Sequence, residues 1–331
     1  ASMMKVLLAG YNVDYDLIRD LREKSGLTQD ITPETISAAY ARISRSPKSV
    51  DQLRVDARAE VEKARRSNRN IVFEMGHSSV AEHAVFNIDV IGVSRLLVEE
   101  IEKFRLCSYT EKSQRYVLFD RDFVVPEEIV RAGMEKDFVE TVRMQNDFYH
   151  ELYEWLRPWV FEQNRELAEN PANRSLLEGW AKEDARYAIA LATQTQLGMT
   201  INARNLELML RRLASLPLAE AQLFSGKLYD ATREIAPSLI RYTRATEYDR
   251  LTRPRLRARA ETLLAEEPAK AGRKKISDVR LVSATSGADR QAAAALLFAS
   301  SGRSYGQCLS RAARLNERDL KGLLRTVFEN M

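Results

Sequence analysis

The sequence predicts an α+β fold. Short apolar or alternating segments near the start of the chain have strand character, and helical spacing dominates from Pro126 to about Thr246. The 331 residues allow two or three domains at roughly 100–200 residues each. An apolar fraction of 45% beside 30% charged residues suits a packed globular protein and excludes a disordered one. The longest apolar runs, such as Ala292–Ala299, fall far below the ~18–20 residues of a membrane span.

In chain order, Lys5–Gly10 is an apolar run ended by glycine, the mark of a buried strand. Tyr15, Ile18 and Leu21 give residues 14–24 helical spacing. Thr32-Pro33-Glu34-Thr35 reads as a helix start, with Thr32 as cap, proline in the first turn and an acid at the positive end of the dipole. A charged helix is expected over residues 50–66. Phe86-Asn87-Ile88-Asp89-Val90 alternates with the period of a half-buried strand. Residues 94–105 return to helical period, with Leu97, Ile101 and Phe104 on one face. Tyr116–Phe119 is β-prone and closes at Val124-Val125-Pro126. The helical half that follows breaks near Asn170-Pro171 and Leu216-Pro217.

The balance of 51 basic against 47 acidic residues leaves a net charge of +4, which suits phosphorylated ligands better than nucleic acid. Two cysteines, Cys107 and Cys308, exclude a disulfide framework or a four-thiolate zinc site. No charged-plus-apolar leader opens the chain, and a cytoplasmic location is expected. The arginine-rich stretch from Arg250 to Lys275 reads as a solvated linker, a basic docking surface being the other reading. Beyond it, Val279–Ser283 resembles the opening strand, and Ala294–Ser301 parallels Ala38–Arg45. Val327-Phe328-Glu329 likewise parallels Val72-Phe73-Glu74. A repeat at about 255 residues is therefore expected, its second copy stopping where the first enters a histidine segment. The predicted domains are residues 4–247, a basic linker 248–277, and the start of a second unit at 278–331.

Three clusters carry candidate chemistry. His77, Glu82 and His83 are competent metal ligands at a spacing poor for a helical zinc pair, so structural hydrogen bonding is expected and no metal is assigned. Lys103 through Tyr116 gathers four cations, two serines and Glu111 around a loop. That is a kit for binding polyanions, or else an ordinary ion-paired surface loop. Cys107 beside Lys103 and Arg105 invites a nucleophile reading, with burial as a small hydrophobe the simpler one. The third cluster is Arg186, Asn202-Ala203-Arg204-Asn205 and Arg211-Arg212, where Asn202 is placed to cap a helix.

Together these segments resemble the flavin-dependent thymidylate synthases. The likeness runs through His77…Glu82-His83, Ser94-Arg95, then Arg105, Ser108, Glu111, Ser113, Arg115 and Tyr116, and on to Arg186 and Asn202–Leu206. It covers about residues 4–245. The resemblance implies a mixed β-sheet flanked by helices, with a largely helical second half. It also implies a homo-oligomer, as a tetramer or a repeat-paired dimer, that makes dTMP from dUMP or acts on a related uridine nucleotide. FAD would be the cofactor, with NADPH and methylenetetrahydrofolate as co-substrates. By the same resemblance His77, Ser79, Lys103, Phe104, Arg105, Ser108, Glu111, Asn202 and Arg204 meet the flavin. Glu100, Ser113, Gln114, Arg115, Tyr116, Arg186 and Arg212 meet the nucleotide, and Arg212 and Ser113 are the catalytic candidates.

Four positions depart from the family pattern. Lys103 replaces an arginine, losing its planar fork, Phe104 replaces a histidine, and Glu100 replaces a glutamine. Position 213, where the family helix carries an arginine that polarises the uracil ring, is leucine, with Arg212 adjacent and out of register. A homologue that keeps the fold and nucleotide binding without synthase activity is the alternative reading of these departures.

Overall fold

The computed structural model describes residues 3–13, 21, 32–43, 46–119, 121–265, 279 and 281–329. The chain divides into two compact units, Ala1–Thr262 and Leu263–Met331. The helix expected at residues 14–24 lies outside the described residues, apart from Leu21.

The first unit is built on a four-stranded sheet of β1 (Lys5–Tyr11), β2 (Val85–Ser94), β3 (Ser108–Glu111) and β4 (Gln194–Asn202), in the order β1-β2-β4-β3. Every ladder among the described residues is antiparallel, so the expected mixed sheet is corrected to an antiparallel one there. The sheet is two-faced because its central strands alternate. Phe86, Ile88 and Val90 on β2 and Leu197, Met199 and Ile201 on β4 are buried, whereas Asn87, Asp89, Gln196 and Gly198 are exposed. On the buried face lie α4 (Arg95–Ile101), α9 (Ala203–Leu213) and α10 (Ala219–Thr232), contributing Leu97, Ile101, Leu206, Met209, Leu210, Phe224 and Leu228 to one core.

Two strands escaped the pattern reading. β3 falls in the polar segment read as a loop, and its Ser-Tyr-Thr-Glu sequence becomes a strand only because β4 offers an edge to pair with. β4 lies within the segment read as helical. Conversely, Tyr116–Phe119 is not a strand: Tyr116 and Val117 are exposed, and Phe119 is buried against α6 (Glu135–Gln163) and α8 (Arg174–Ala185). Between the last two lies α7 (Arg165–Ala168), and α5 (Glu127–Arg131) precedes them. The helix expected over 94–105 ends at Ile101.

A helical module precedes β2. It comprises α1 (Glu34–Arg42), α2 (Val50–Ala59) and α3 (Val61–Arg69), the last two splitting the single helix expected at 50–66 where Glu60 leaves helical geometry (φ −133°, ψ 66°). Pro33, rather than Thr32, occupies the cap position of α1. Thr32 instead donates its hydroxyl to the Ile235 carbonyl at 2.8 Å. Glu34 is fully buried: its carboxylate accepts from the Ser238 amide at 2.7 Å and from Arg65 Nε at 2.6 Å, while its carbonyl accepts from Asn68. The Thr32 and Ser238 bonds clasp the module onto residues some 200 positions away.

The basic stretch read as a linker is helical through its first part, as α11 (Glu247–Leu264) with no buried residue. Charge all round and few apolar anchors explain the linker reading, and residues 266–278 lie outside the described set. The second unit contains α12 (Ala288–Ala299), α13 (Tyr305–Ala313) and α14 (Glu317–Thr326). Residues 281–283 are not a strand, because the described residues of this unit include no strand to pair with. Its buried Ala293, Ala294, Cys308 and Ala312 each lie 255 residues beyond Ala38, Ala39, Leu53 and Ala57, all buried in the first module. Ser304 caps α13 at the same offset from Ser49, which stands at the cap position of α2. The sequence pairing of Ala38 with Ala294 is therefore one residue out of register.

Replacing Glu34 by Ala leaves the Ser238 N–H without its acceptor and takes the buried carboxylate from Arg65, which keeps its bond to the exposed Glu62. A loss of about 3–5 kcal/mol is expected, read as a lower urea midpoint with circular dichroism.

Candidate active site

The β2–β4 ladder pairs Val85 with Asn202 at one end and Ser94 with Gln194 at the other, and candidate residues collect at both ends. At the first end Asn202 caps α9, its Oδ1 accepting from the Asn205 amide at 2.9 Å, as the sequence suggests. Ser108 pairs with Thr200 on the neighbouring β3. Arg105, Ser108 and Asn202 line one open groove of about 300 Å³ with Val85, Leu106, Cys107, Thr200 and Ile201. Among the described residues no hydrogen bond or ion pair engages the Arg105 guanidinium. Cys107, on the wall of this groove, has its thiol pushed up by burial, which removes the nucleophile reading.

The turn Ser78–His83 carries exposed Ser79 and follows exposed His77. Its Glu82 is salt-bridged to Arg204 of α9, and His83 packs edge-on against Tyr40 with ring centroids 4.7 Å apart. His83 is thus an aromatic packing partner. The Glu82–Arg204 pair is roughly half exposed, and such pairs contribute less than about 1 kcal/mol, so Arg204 can exchange its partner for an anion.

Lys103 is salt-bridged to Glu100 one helical turn before it, so two of the family departures compensate each other in charge. Phe104 is half-buried beneath the Arg212 guanidinium, 5.7 Å from ring centre to Cζ. Leu213 is buried in the core, which explains why no arginine stands there, and Arg212 turns towards the Lys103–Arg105 segment instead. Arg211 is committed elsewhere, to Asp249 at 3.4 Å.

At the other end of the ladder, Glu111 accepts through Oε1 from Arg95 at 2.9 Å and from the Thr195 hydroxyl at 2.9 Å. The Gln114 amide lies between two guanidiniums. In one orientation its oxygen accepts from Arg186 at 3.5 Å; turned over, it accepts from Arg95 at 2.5–2.9 Å, the better geometry. Ser113 accepts from the Arg115 amide at 3.2 Å, shaping the turn, and Arg115 is exposed beside the Tyr116 ring. Ser113, Gln114, Arg115 and Arg186 therefore form a second cationic cluster, distinct from the groove at Asn202. Seven ladder positions separate Thr195 from Asn202, roughly 24 Å at 3.4 Å per residue.

Three supports were not assigned from the sequence. Arg95 was part of the motif without a role. Thr195 is invisible until β4 is seen to be a strand. Glu220, far away in the chain, accepts from both the Ser94 amide (2.8 Å) and the Ser94 hydroxyl (2.5 Å). Burial pushes the Glu220 carboxyl up, partly offset by the two Ser94 bonds.

The fold and these two cationic clusters define an α+β protein equipped for phosphorylated ligands. The family model described as "Thymidylate synthase complementing protein" matches residues 27–238. The chain belongs to that family. A protein from Clostridium tetani named flavin-dependent thymidylate synthase is 28% identical over 216 residues, covering 64% of this chain and 82% of its own length. One of the same name from Pyrococcus furiosus is 32% identical over 133 residues, 40% of this chain and 47% of that protein. A crystal structure of the UMP/dUMP methylase PolB from Streptomyces cacaoi bound with 5-Br dUMP superposes with a TM-score of 0.49 at 17% identity, covering 72% of this chain and 93% of that one.

The donor set at Asn202 fits a dinucleotide cofactor. A guanidinium without a described partner, a strand hydroxyl and a helix-capping amide surround an open groove, with an exchangeable arginine in the first turn of α9.

A pH test follows from Glu220. Its raised carboxyl favours the folded state most fully below the ordinary carboxylate range, and that contribution is lost as pH rises through the elevated folded value. Glu220→Gln is expected to flatten this part of the stability profile above about pH 4.5, checked by thermal midpoints at half-unit pH steps.

Proposed function

We propose that the chain is a flavin-dependent thymidylate synthase that binds FAD and dUMP and makes dTMP, with methylenetetrahydrofolate as carbon donor and NADPH as reductant. The observation that carries this reading is the groove where Arg105, Ser108 and Asn202, drawn from three sequence positions, converge. Family membership and the names of the relatives from Clostridium tetani and Pyrococcus furiosus support it.

Uracil C5 is a poor nucleophile, and FAD, reduced by NADPH, would supply the hydride that turns the transferred one-carbon group into a methyl. The protein's own part is binding and electrostatics. Arg105, Ser108 and Asn202, with Arg204 released from Glu82 and Ser79 on the adjoining turn, hold the cofactor. Lys103, His77 and Phe104 border it. Arg186, Arg115, Ser113 and Gln114 hold the nucleotide phosphate by charge-assisted hydrogen bonds, beside Tyr116. Arg212, at the Phe104 ring, is the guanidinium assigned the polarising role that Leu213 lacks. Glu100 faces substrate as a carboxylate neutralised by Lys103. Glu111 stands between the two ligands.

The separation of the two clusters along one ladder favours a homo-oligomer in which one copy's groove at Asn202 meets another copy's cluster at Gln114. The common offset of buried positions and cap serines favours reading the second unit as a repeat of the α1–α3 module.

Purified protein is expected to be yellow with flavin absorbance, and to form dTMP from dUMP when given methylenetetrahydrofolate and NADPH. Colourless protein that takes up no FAD overturns the reading. Arg105→Ala is expected to lose flavin. Arg115→Ala is expected to weaken dUMP binding about tenfold or more while sparing flavin, since a charged hydrogen bond is worth about 1.5–3 kcal/mol. Equal loss of both ligands in Arg115→Ala contradicts the assigned roles.

A further inference from the structure

We propose that Arg95 is a positioning residue for nucleotide binding, acting through Glu111 and Gln114. The inference rests on the functional reading above and adds to it a residue that the reading leaves without a task.

Arg95 is the first residue of α4 and is fixed at both ends. Its backbone amide donates to the Thr193 carbonyl at 3.1 Å, so its main chain continues the β2–β4 ladder. The residue before it, Ser94, caps α4 by accepting from the Leu97 amide at 3.1 Å and is itself held by Glu220. At the other end the guanidinium lies 6.0 Å from the centre of the buried Phe119 ring. Only 16% of the side chain is exposed. A side chain restrained in this way directs its donors along fixed lines.

Those lines end on Gln114 of the nucleotide cluster and on Glu111 beside it. One donor reaches Glu111 Oε1, and the guanidinium also faces the better-placed orientation of the Gln114 amide oxygen. Glu111 is itself only 17% exposed, so its attraction to Arg95 is little screened by salt. The contrast with Arg186 separates their roles. Arg186 is more exposed, at 30%, and its contacts to Glu183 and Gln114 are long, at 3.3 and 3.5 Å. Arg186 is therefore available to a phosphate, whereas Arg95 is committed to holding its neighbours.

This commitment has two consequences. Arg95 neutralises a carboxylate that would otherwise repel an incoming phosphate. It also takes up the Gln114 oxygen, leaving the amide NH2 directed towards the Arg186 side, where a ligand oxygen can accept from it. The charged groups around Glu111 are Arg95 and Glu102 from the two ends of α4, Lys112 next in the chain, and Arg186 beyond Gln114; Thr195 adds a neutral donor from β4.

The test measures dUMP binding to the protein by equilibrium dialysis, with flavin retention read by absorbance. Arg95→Met is expected to weaken dUMP binding at least about tenfold while flavin retention stays within twofold of the unsubstituted protein. Arg95→Lys is expected to restore part of the affinity. Thr195→Val, which removes the neutral donor and keeps the cation, is expected to weaken binding less. If Arg95→Met does not fold, the Lys and Val variants carry the same comparison. dUMP affinity within twofold of the unsubstituted protein in Arg95→Met overturns the proposal. So does parallel loss of flavin and nucleotide. Failure of the unsubstituted protein to bind dUMP at all defeats the functional reading instead, and the two failures are distinguishable.

Discussion

Nine cross-strand pairs, from Val85 with Asn202 to Ser94 with Gln194, fix the register on which the whole site depends. Strand side chains alternate faces, so a one-residue slip would turn Phe86, Ile88 and Val90 into solvent. Burial of that face therefore locks the register. The locked register in turn sets Asn202 at the start of α9 and Arg95 at the start of α4, at opposite ends of the ladder. A bulge between Ile91 and Val93 adjusts the last turn of this arrangement. Gly92 adopts φ +76° there, a conformation that glycine enters without the Cβ penalty of other residues. The residues beyond the bulge, Ser94 and Arg95, owe their direction to it.

The arginines of this protein divide by what already holds them. Arg65 is spent on the buried Glu34 and Arg95 on Glu111; both are largely buried, and both secure structure. Arg105, Arg115, Arg186 and Arg204 are more exposed, with long, weakly stabilising or no described ionic contacts. Exposed ion pairs contribute little, so a phosphate can displace their present partners at small cost. Burial thus separates guanidiniums that build the site from those that can bind in it, a distinction that composition does not contain.

The departures from the family pattern have a shared physical explanation. Glu100 and Lys103 exchange a neutral–cationic pair for an anionic–cationic one that closes on itself across one helical turn. Phe104 offers a ring face where the family pattern has a histidine, and Arg212 lies over it. Leu213 fills the core below α9. Each change is matched by a neighbour, as expected where side chains share one small volume.

The sequence by itself determined the α+β class, the opening strand, the alternation in β2, the Asn202 cap and the family pattern around Lys103–Tyr116, because each is a local matter of periodicity or spacing. Its pairing of Ala38 with Ala294 stands one residue away from the offset that the buried positions share. Tertiary structure alone decided that β3 and β4 are strands, because a polar or mixed segment becomes a strand only where an edge accepts its hydrogen bonds. It decided equally that Tyr116–Phe119 is not a strand, and that the basic stretch begins as a helix. The roles of Glu34, Thr195 and Glu220 arise from partners 84 to 204 residues away. Burial and long-range pairing turn an ordinary acid or hydroxyl into a fixed acceptor or donor, and neither is written in local spacing.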